Sequence, residues 1–210
     1  MNKLGDLSCK EILTELASAA PAPGGGGGAA MAGALAAALA SMVANLTIGK
    51  EKFADREPEV KELLEQAEAE RVRLLTLVDE DAAVFNSFMS CYKLPKTTDE
   101  EKAARTAAIR AAAKQAATVP LNIARSSFAV LKLADRLVVA GNPGVITDGA
   151  CSGLLARAAL RCAEYNVRIN LGLTKDEAWN AQAAADLKQL LADAEALETR
   201  LLAVTDKALQ

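Results

Sequence analysis

A chain of 210 residues is long enough to bury a substantial core, and with 51% hydrophobic but only 3% aromatic side chains that core must be built from Ala, Leu and Val. Such a composition suits close-packed helices better than sheets, and the net charge of −3 with so few aromatics excludes the basic stripes and stacking platforms of nucleic-acid binding. The chain has no histidine, which excludes Ser-His and Cys-His nucleophiles and imidazole zinc sites and leaves carboxylates, Lys, Tyr, Cys or bound water for acid–base work. Cys9, Cys91, Cys151 and Cys162 lack metal-ligand spacing and read as buried thiols of a reducing compartment. No targeting segment is visible, so a cytoplasmic protein is expected.

In chain order, Ser8 and Glu11 have capping-box spacing and open a helix through Ile12, Leu13 and Leu16 that stops before Pro21. Residues 21–49 then carry Pro21-Ala22-Pro23, the glycine run Gly24 to Gly28 and an Ala-rich apolar segment, with no charge between Leu16 and Gly49. A flexible linker would stay polar, whereas these glycines run straight into Met31, Leu35, Leu39 and Met42. A membrane span has the right length, but the segment is mostly Ala, includes Ser41, Asn45 and Thr47, lacks Trp/Tyr anchors and follows the acidic Asp6, Glu11 and Glu15. The reading that remains is a helix apolar on all faces at the centre of a helical assembly, with no membrane involved.

Lys50, Lys52 and Arg56 form a short basic segment, and Pro58 suits the first turn of the next helix. Val60, Leu64, Ala67, Leu74, Val78 and Phe85 recur at three- and four-residue spacing and carry that helix to about residue 89. Asp81 lies in line with this stripe, so it is either paired, hydrogen-bonded or functional, or the stripe has drifted and exposes it. Leu94-Pro95-Lys96 ends the helix, and a second capping box at Thr98 and Glu101 starts one reaching about 118. Pro120 begins another, which ends at the Gly141-Asn142-Pro143-Gly144 turn. Val145-Ile146-Thr147 is strand-like but too short for a sheet. Asp148 or Thr147 can cap a helix to about 171, and a third capping box, Thr174 with Glu177, opens the last helix to about 207. The expectation is an all-α single domain over 1–210, with about seven helices around the Ala-rich one.

Gly24, Gly26 and Gly28 do not make a dinucleotide loop, because Ala17-Ser18-Ala19-Ala20 ends a helix where that fingerprint needs a strand. A phosphate-binding Walker loop needs Gly-Lys-Ser/Thr, and no Lys appears before Lys50. A glycine-rich backbone at a helix N-terminus still presents free N–H groups to a carboxylate or carbonyl.

Several segments in fixed order carry a family resemblance: Ala20-Pro21-Ala22-Pro23-Gly24-Gly25-Gly26, Met42 to Lys50, Leu94-Pro95-Lys96, Val119-Pro120-Leu121, Gly141-Asn142-Pro143 with Thr147-Asp148, and Asn166-Val167-Arg168-Ile169-Asn170. Between about Ser8 and Leu171 the chain resembles the cyclodeaminase/cyclohydrolase family of tetrahydrofolate enzymes. It departs from the usual loop at Ala22, where Pro-Ala-Pro replaces Pro-Thr-Pro and removes a hydroxyl. The resemblance implies an all-helical homodimer with a folate site near the dimer interface, no cofactor or metal, and a tetrahydrofolate derivative as substrate. With no transferase domain attached, it points to hydrolysis of 5,10-methenyltetrahydrofolate to 10-formyltetrahydrofolate, with formimidoyltetrahydrofolate cyclodeaminase as the alternative. On this reading Asp81 or Asp148 supplies a carboxylate and Lys96 donates to a developing nitrogen or a pterin oxygen. Gly24, Gly25, Gly26, Gly27 and Asn142 take polar edges of the pterin, and Lys50 or Arg168 meets the glutamate tail. Asn45 and Asn166 complete the expected substrate-binding set. A folate-binding module without catalysis and a purely structural helical dimer are the competing classes.

Overall fold

The structure is a computed structural model and describes residues 3–210. Six α-helices account for the fold: α1 (Cys9–Leu16), α2 (Gly25–Asn45), α3 (Glu57–Cys91), α4 (Asp99–Ala140), α5 (Ile146–Thr174) and α6 (Glu177–Ala208). Single 3₁₀ turns at Leu4–Asp6, Glu51–Phe53 and Pro143–Val145 punctuate the connections, and no strand occurs among the described residues. The capping boxes of α1 and α4 form as the sequence predicts, with Ser8 and Thr98 accepting from the Glu11 and Glu101 amides.

The Ala-rich helix α2 lies against α3, α4 and α5. Its alanines Ala30, Ala36, Ala37, Ala40 and Ala44 are fully buried, so neighbouring backbones come close. At Gly33 a methyl group would already stand 3.0 Å from Leu74 Cδ2 and from Ser127 Oγ. Ser152 on α5 fastens the crossing by donating 2.7 Å to the Ala36 carbonyl. Leu74, Ile123, Leu131, Leu160 and Leu201 fill the remaining core, each contributing about 1.5–3 kcal/mol by burial. By length and composition α2 is long and apolar enough to cross a membrane, and most of it is buried inside this bundle.

The structure departs from the sequence reading in four places. The helices expected over 99–118 and 120–140 are one, α4, which continues through Pro120. A proline removes one helix hydrogen bond, and the flanking Val119, Leu121 and Ile123 are all buried and hold the backbone in place. Thr174 is the last residue of α5, and Asp176 caps α6 instead, accepting 3.1 Å from the Trp179 amide. α5 begins at Ile146, inside the strand-like triplet, so Val145 takes the cap position expected of Thr147 or Asp148. Finally, the cysteines are not buried: Cys9, Cys151 and Cys162 are exposed and Cys91 is intermediate. Cys151 and Cys162 sit on an open face of α5 that also exposes Leu154, Tyr165 and Ile169, beside Leu35 and Met42 of α2 and Leu46 at its C-terminal cap.

Candidate active site

The first turn of α2 is where the glycine run becomes chemistry. Its first intrahelical bond runs from the Gly28 amide to the Gly24 carbonyl at 2.9 Å, so the amides of Gly25, Gly26 and Gly27 have no acceptor within the helix. Gly24 stands at the cap position and has no side chain to take them. The carboxylate that comes to this end belongs to α3: a Cβ on Gly26 would lie 2.3 Å from Asp81 Oδ1 and 2.7 Å from Cγ. Only glycine leaves room for Asp81 there. Burial pushes the Asp81 carboxyl above the usual Asp range, and the Gly27 amide pulls the other way without cancelling it.

Around this carboxylate is a cavity of about 340 Å³. The walls are mostly apolar. Val84, Phe85 and Phe88 come from the turns of α3 that follow Asp81, Val119 and Pro120 from α4, and Ile169 and Leu173 from α5. Two of the chain's four phenylalanines are thus spent on one cavity, and Phe88 is steadied edge-on by Tyr92 with ring centroids 5.3 Å apart. The polar groups are few: Asp81, the glycine backbone, Asn166 and Asn170. Asn166 Nδ2 donates 2.9 Å to the Cys162 carbonyl, and its amide faces the backbone of Gly25, where a Cβ would stand 3.6 Å away. No Lys or Arg lines the cavity, and among the described residues no three His, Cys, Asp or Glu side chains gather into a metal-ligand set. A mostly apolar pocket with convergent polar groups of this size suits a planar heterocycle.

Of the residues singled out from the sequence, Gly24, Gly25, Gly26, Asp81 and Asn166 meet at this cavity, and Gly27 stands just behind it against Asp81. The others lie elsewhere in the chain. Asn45 ends α2, which at 21 residues is about 30 Å long, so Asn45 and the exposed Lys50 are at its far end. Asn142 is there too, tied into the turn: its side-chain Nδ2 donates 3.1 Å to the Leu46 carbonyl, its Oδ1 accepts from Gly144, and its own backbone amide donates to Thr47 Oγ1 at 2.8 Å. Asp148 is in the first turn of α5, about 27 Å along that helix from Asn166. Lys96 is exposed in the connection after α3, whose end at Cys91 is about 15 Å beyond Asp81. Arg168 points outward, paired with Glu164 at 3.3 Å. Phe88, Pro120 and Asn170 were not foreseen as site residues, although spacing could have found two of them. Phe88 follows Asp81 by two helical turns, and Asn170 follows Asn166 by one.

The fold and cavity define a helical protein with a small-molecule site built on a buried carboxylate and a glycine helix end. Comparison with known proteins identifies the group: residues 8–189 match the family model described as formiminotransferase-cyclodeaminase, and the chain belongs to that family. It is 44% identical over 197 residues to a methenyltetrahydrofolate cyclohydrolase of Methylorubrum extorquens, covering 94% of this chain and 95% of that one. It is 33% identical to the formimidoyltransferase-cyclodeaminase of Sus scrofa over 88% of its length, spanning only 34% of that larger protein. A crystal structure of formiminotetrahydrofolate cyclodeaminase from Thermotoga maritima superposes with a TM-score of 0.88 at 30% identity, covering 98% of each chain.

Proposed function

We propose that this protein hydrolyses 5,10-methenyltetrahydrofolate to 10-formyltetrahydrofolate. The observation that carries the choice of reaction is the 44% identity, over nearly the whole of both chains, to a protein named for that activity. The geometry supports it independently. The methenyl bridge is an amidinium cation, already electrophilic at carbon, so water attack needs orientation, a modest base and a nearby negative charge rather than a strong nucleophile. Asp81 meets that requirement in an apolar cavity. Water adds to the bridge carbon and gives one proton to the carboxylate. The resulting neutral adduct breaks its bond to N5, with the electron pair going to N5, which takes the proton back from Asp81. The hydroxyl proton passes to Asp81 as the formyl C=O forms on N10, and goes on to solvent as the product leaves. Phe85 and Phe88 hold ring faces, and the free amides of Gly25 and Gly26 meet acceptor edges of the ligand.

The purified chain, assayed with methenyltetrahydrofolate by loss of the methenyl absorbance, is expected to accelerate ring opening well above the buffer rate. The same protein with formimidoyltetrahydrofolate tests the second reading, which the likeness to the Thermotoga cyclodeaminase favours. Ammonia release without methenyl hydrolysis would replace the first reading by the second.

The working form in this proposal is a cytoplasmic homodimer that uses the open α2/α5 face. That face is uncharged along α2 and carries Leu35 and Ile169 at 55% and 71% exposure. Ile169 also lines the cavity, so a second copy seated there closes the pocket from outside. An antiparallel pair of copies would in addition set the Lys50, Asn142 and Asp148 end of one beside the pocket of the other, bringing a cation to a cavity whose own lining has none.

A further inference from the structure

Pro120 and Asn170 are 50 residues apart in sequence and form one device at the pocket wall. In a regular helix the amide of residue 120 would donate to the carbonyl of Ala116, four residues back. Proline has no N–H, so within α4 that carbonyl loses its donor. The replacement comes from α5: Asn170 Nδ2 donates 2.9 Å to Ala116 O. Its second hydrogen goes to Asn166 O at 2.8 Å. Both amide hydrogens are therefore spent on carbonyls, and the reversed amide would set Oδ1 against two carbonyl oxygens at the same distances, so the orientation is fixed. Asn170 Oδ1 accepts no hydrogen bond from any described residue, and Ala116, Pro120, Asn166 and Asn170 all line the cavity.

We infer that Asn170 is a specificity-determining residue whose amide, locked by the proline break in α4, presents a single acceptor oxygen that reads an N–H on the ring system of the ligand. An unlocked asparagine can turn its NH₂ toward the site and serve an acceptor equally well; this one cannot. The lock makes Asn170 select donor edges, while the glycine amides at the start of α2 select acceptor edges. A pterin has both, as N–H and C=O groups on one ring. The inference rests on the folate reading of the cavity and adds to it the residue that orients the ring. The contact is to a part of the ligand that does not react, so it holds ground state and transition state alike and acts on KM rather than kcat.

The test uses four proteins, namely wild type, Pro120→Ala, Asn170→Ala and the double variant, each assayed for KM and kcat with methenyltetrahydrofolate and for Tm. Asn170→Ala leaves the Ala116 carbonyl without a donor, so Tm falls and KM rises about three- to tenfold, the worth of one hydrogen bond. Pro120→Ala restores the helix N–H and makes Asn170 dispensable for stability. The double variant is then expected to melt with Pro120→Ala yet keep a KM about three- to tenfold above wild type, with kcat within about twofold. A double variant whose KM equals that of wild type would show that Asn170 only repairs the helix, and the inference falls. A loss confined to kcat overturns it as well, by placing Asn170 at the reacting atoms. If wild type turns over neither methenyltetrahydrofolate nor formimidoyltetrahydrofolate, the folate reading fails and this inference goes with it; active wild type with unaffected variants removes the inference alone.

Discussion

Gly26→Ala and Gly28→Ala make the same chemical change two residues apart in the first turns of α2, and the structure assigns them opposite outcomes. At Gly28 a new methyl meets only Leu16 Cδ2 at 3.9 Å, an ordinary contact. Removing backbone freedom from a helical glycine stabilises by about 0.5–1 kcal/mol, so Gly28→Ala is expected to raise Tm by about 1–4 °C and leave turnover unchanged. At Gly26 the same methyl lands 2.3 Å from Asp81 Oδ1 and 2.7 Å from both Cγ and Oδ2, where normal contact begins at 3.4 Å. The carboxylate must retreat by about 1 Å or rotate away, and a misplacement of about 1 Å in a catalytic group costs on the order of 100-fold in rate. Gly26→Ala should therefore fold, because the gain in helix propensity offsets part of the strain, and lose about two orders of magnitude in kcat for methenyltetrahydrofolate. Steady-state absorbance assays and thermal melts on the two variants, side by side, measure this. A Gly26→Ala enzyme within threefold of Gly28→Ala in kcat would refute the placement of Asp81 as the working carboxylate.

Asp81→Asn removes that carboxylate without changing its size and should lower kcat by about 10²–10⁴-fold. It also has a stability signature. The folded-state pKa of Asp81 is raised by burial, so as pH climbs through the unfolded value of about 3.9 the unfolded chain gives up its proton first and the wild type loses stability until the folded group has ionised too. Urea denaturation should accordingly show Asp81→Asn gaining on wild type between pH 4 and neutrality; a gap that shrinks over that range would contradict the burial argument. Arg200→Met leaves Asp135, 2% exposed and bridged by the guanidinium with Nε at 2.8 Å, as a buried unpaired charge, and about 3 kcal/mol should disappear from the denaturation free energy. Leu35→Glu sets a charge in the open α2/α5 face, and light scattering should report a monomer with reduced turnover; a variant that stays dimeric excludes this face as the interface.

The helices were legible because their signals are local. Two capping boxes, the apolar period of residues 60–88 and the uncharged span after Gly24 each name a helix from within a dozen residues. Pro120 was misread for the same reason. Read locally a proline starts a helix, and what lets α4 run on through it is a donor on α5, 50 residues away in sequence. The burial of the cysteines was misjudged because composition cannot say which face of α5 lies open. At the site, Asp81 could be singled out by its place in an apolar stripe and the glycine run by its lack of charge, yet nothing in either segment says that they touch. That contact is tertiary, set by α3 crossing the first turn of α2. Lys96, Lys50, Asn142 and Asp148 came from the resemblance alone, which orders motifs along the chain and is silent about the length of helix between them.

The electrostatics at Asp81 explain why a buried carboxylate suits the proposed substrate. In the empty cavity desolvation prevails over the Gly27 amide and disfavours the charged form. A methenyl cation brought within a few ångströms reverses that balance, because opposite charges attract more strongly in an apolar site than in water. The substrate therefore favours the charged form of the base that burial disfavours. Water attack neutralises the cation and the carboxylate takes up a proton in the same step, so the pair is discharged together and no isolated charge is left buried. Ring opening gives 10-formyltetrahydrofolate, which is neutral at the former bridge, and the attraction between bridge and carboxylate is gone. Binding favours the cation over the product by that difference, and product release follows from the chemistry itself. A histidine would serve this cycle poorly, since as an imidazolium it would repel the substrate it has to activate.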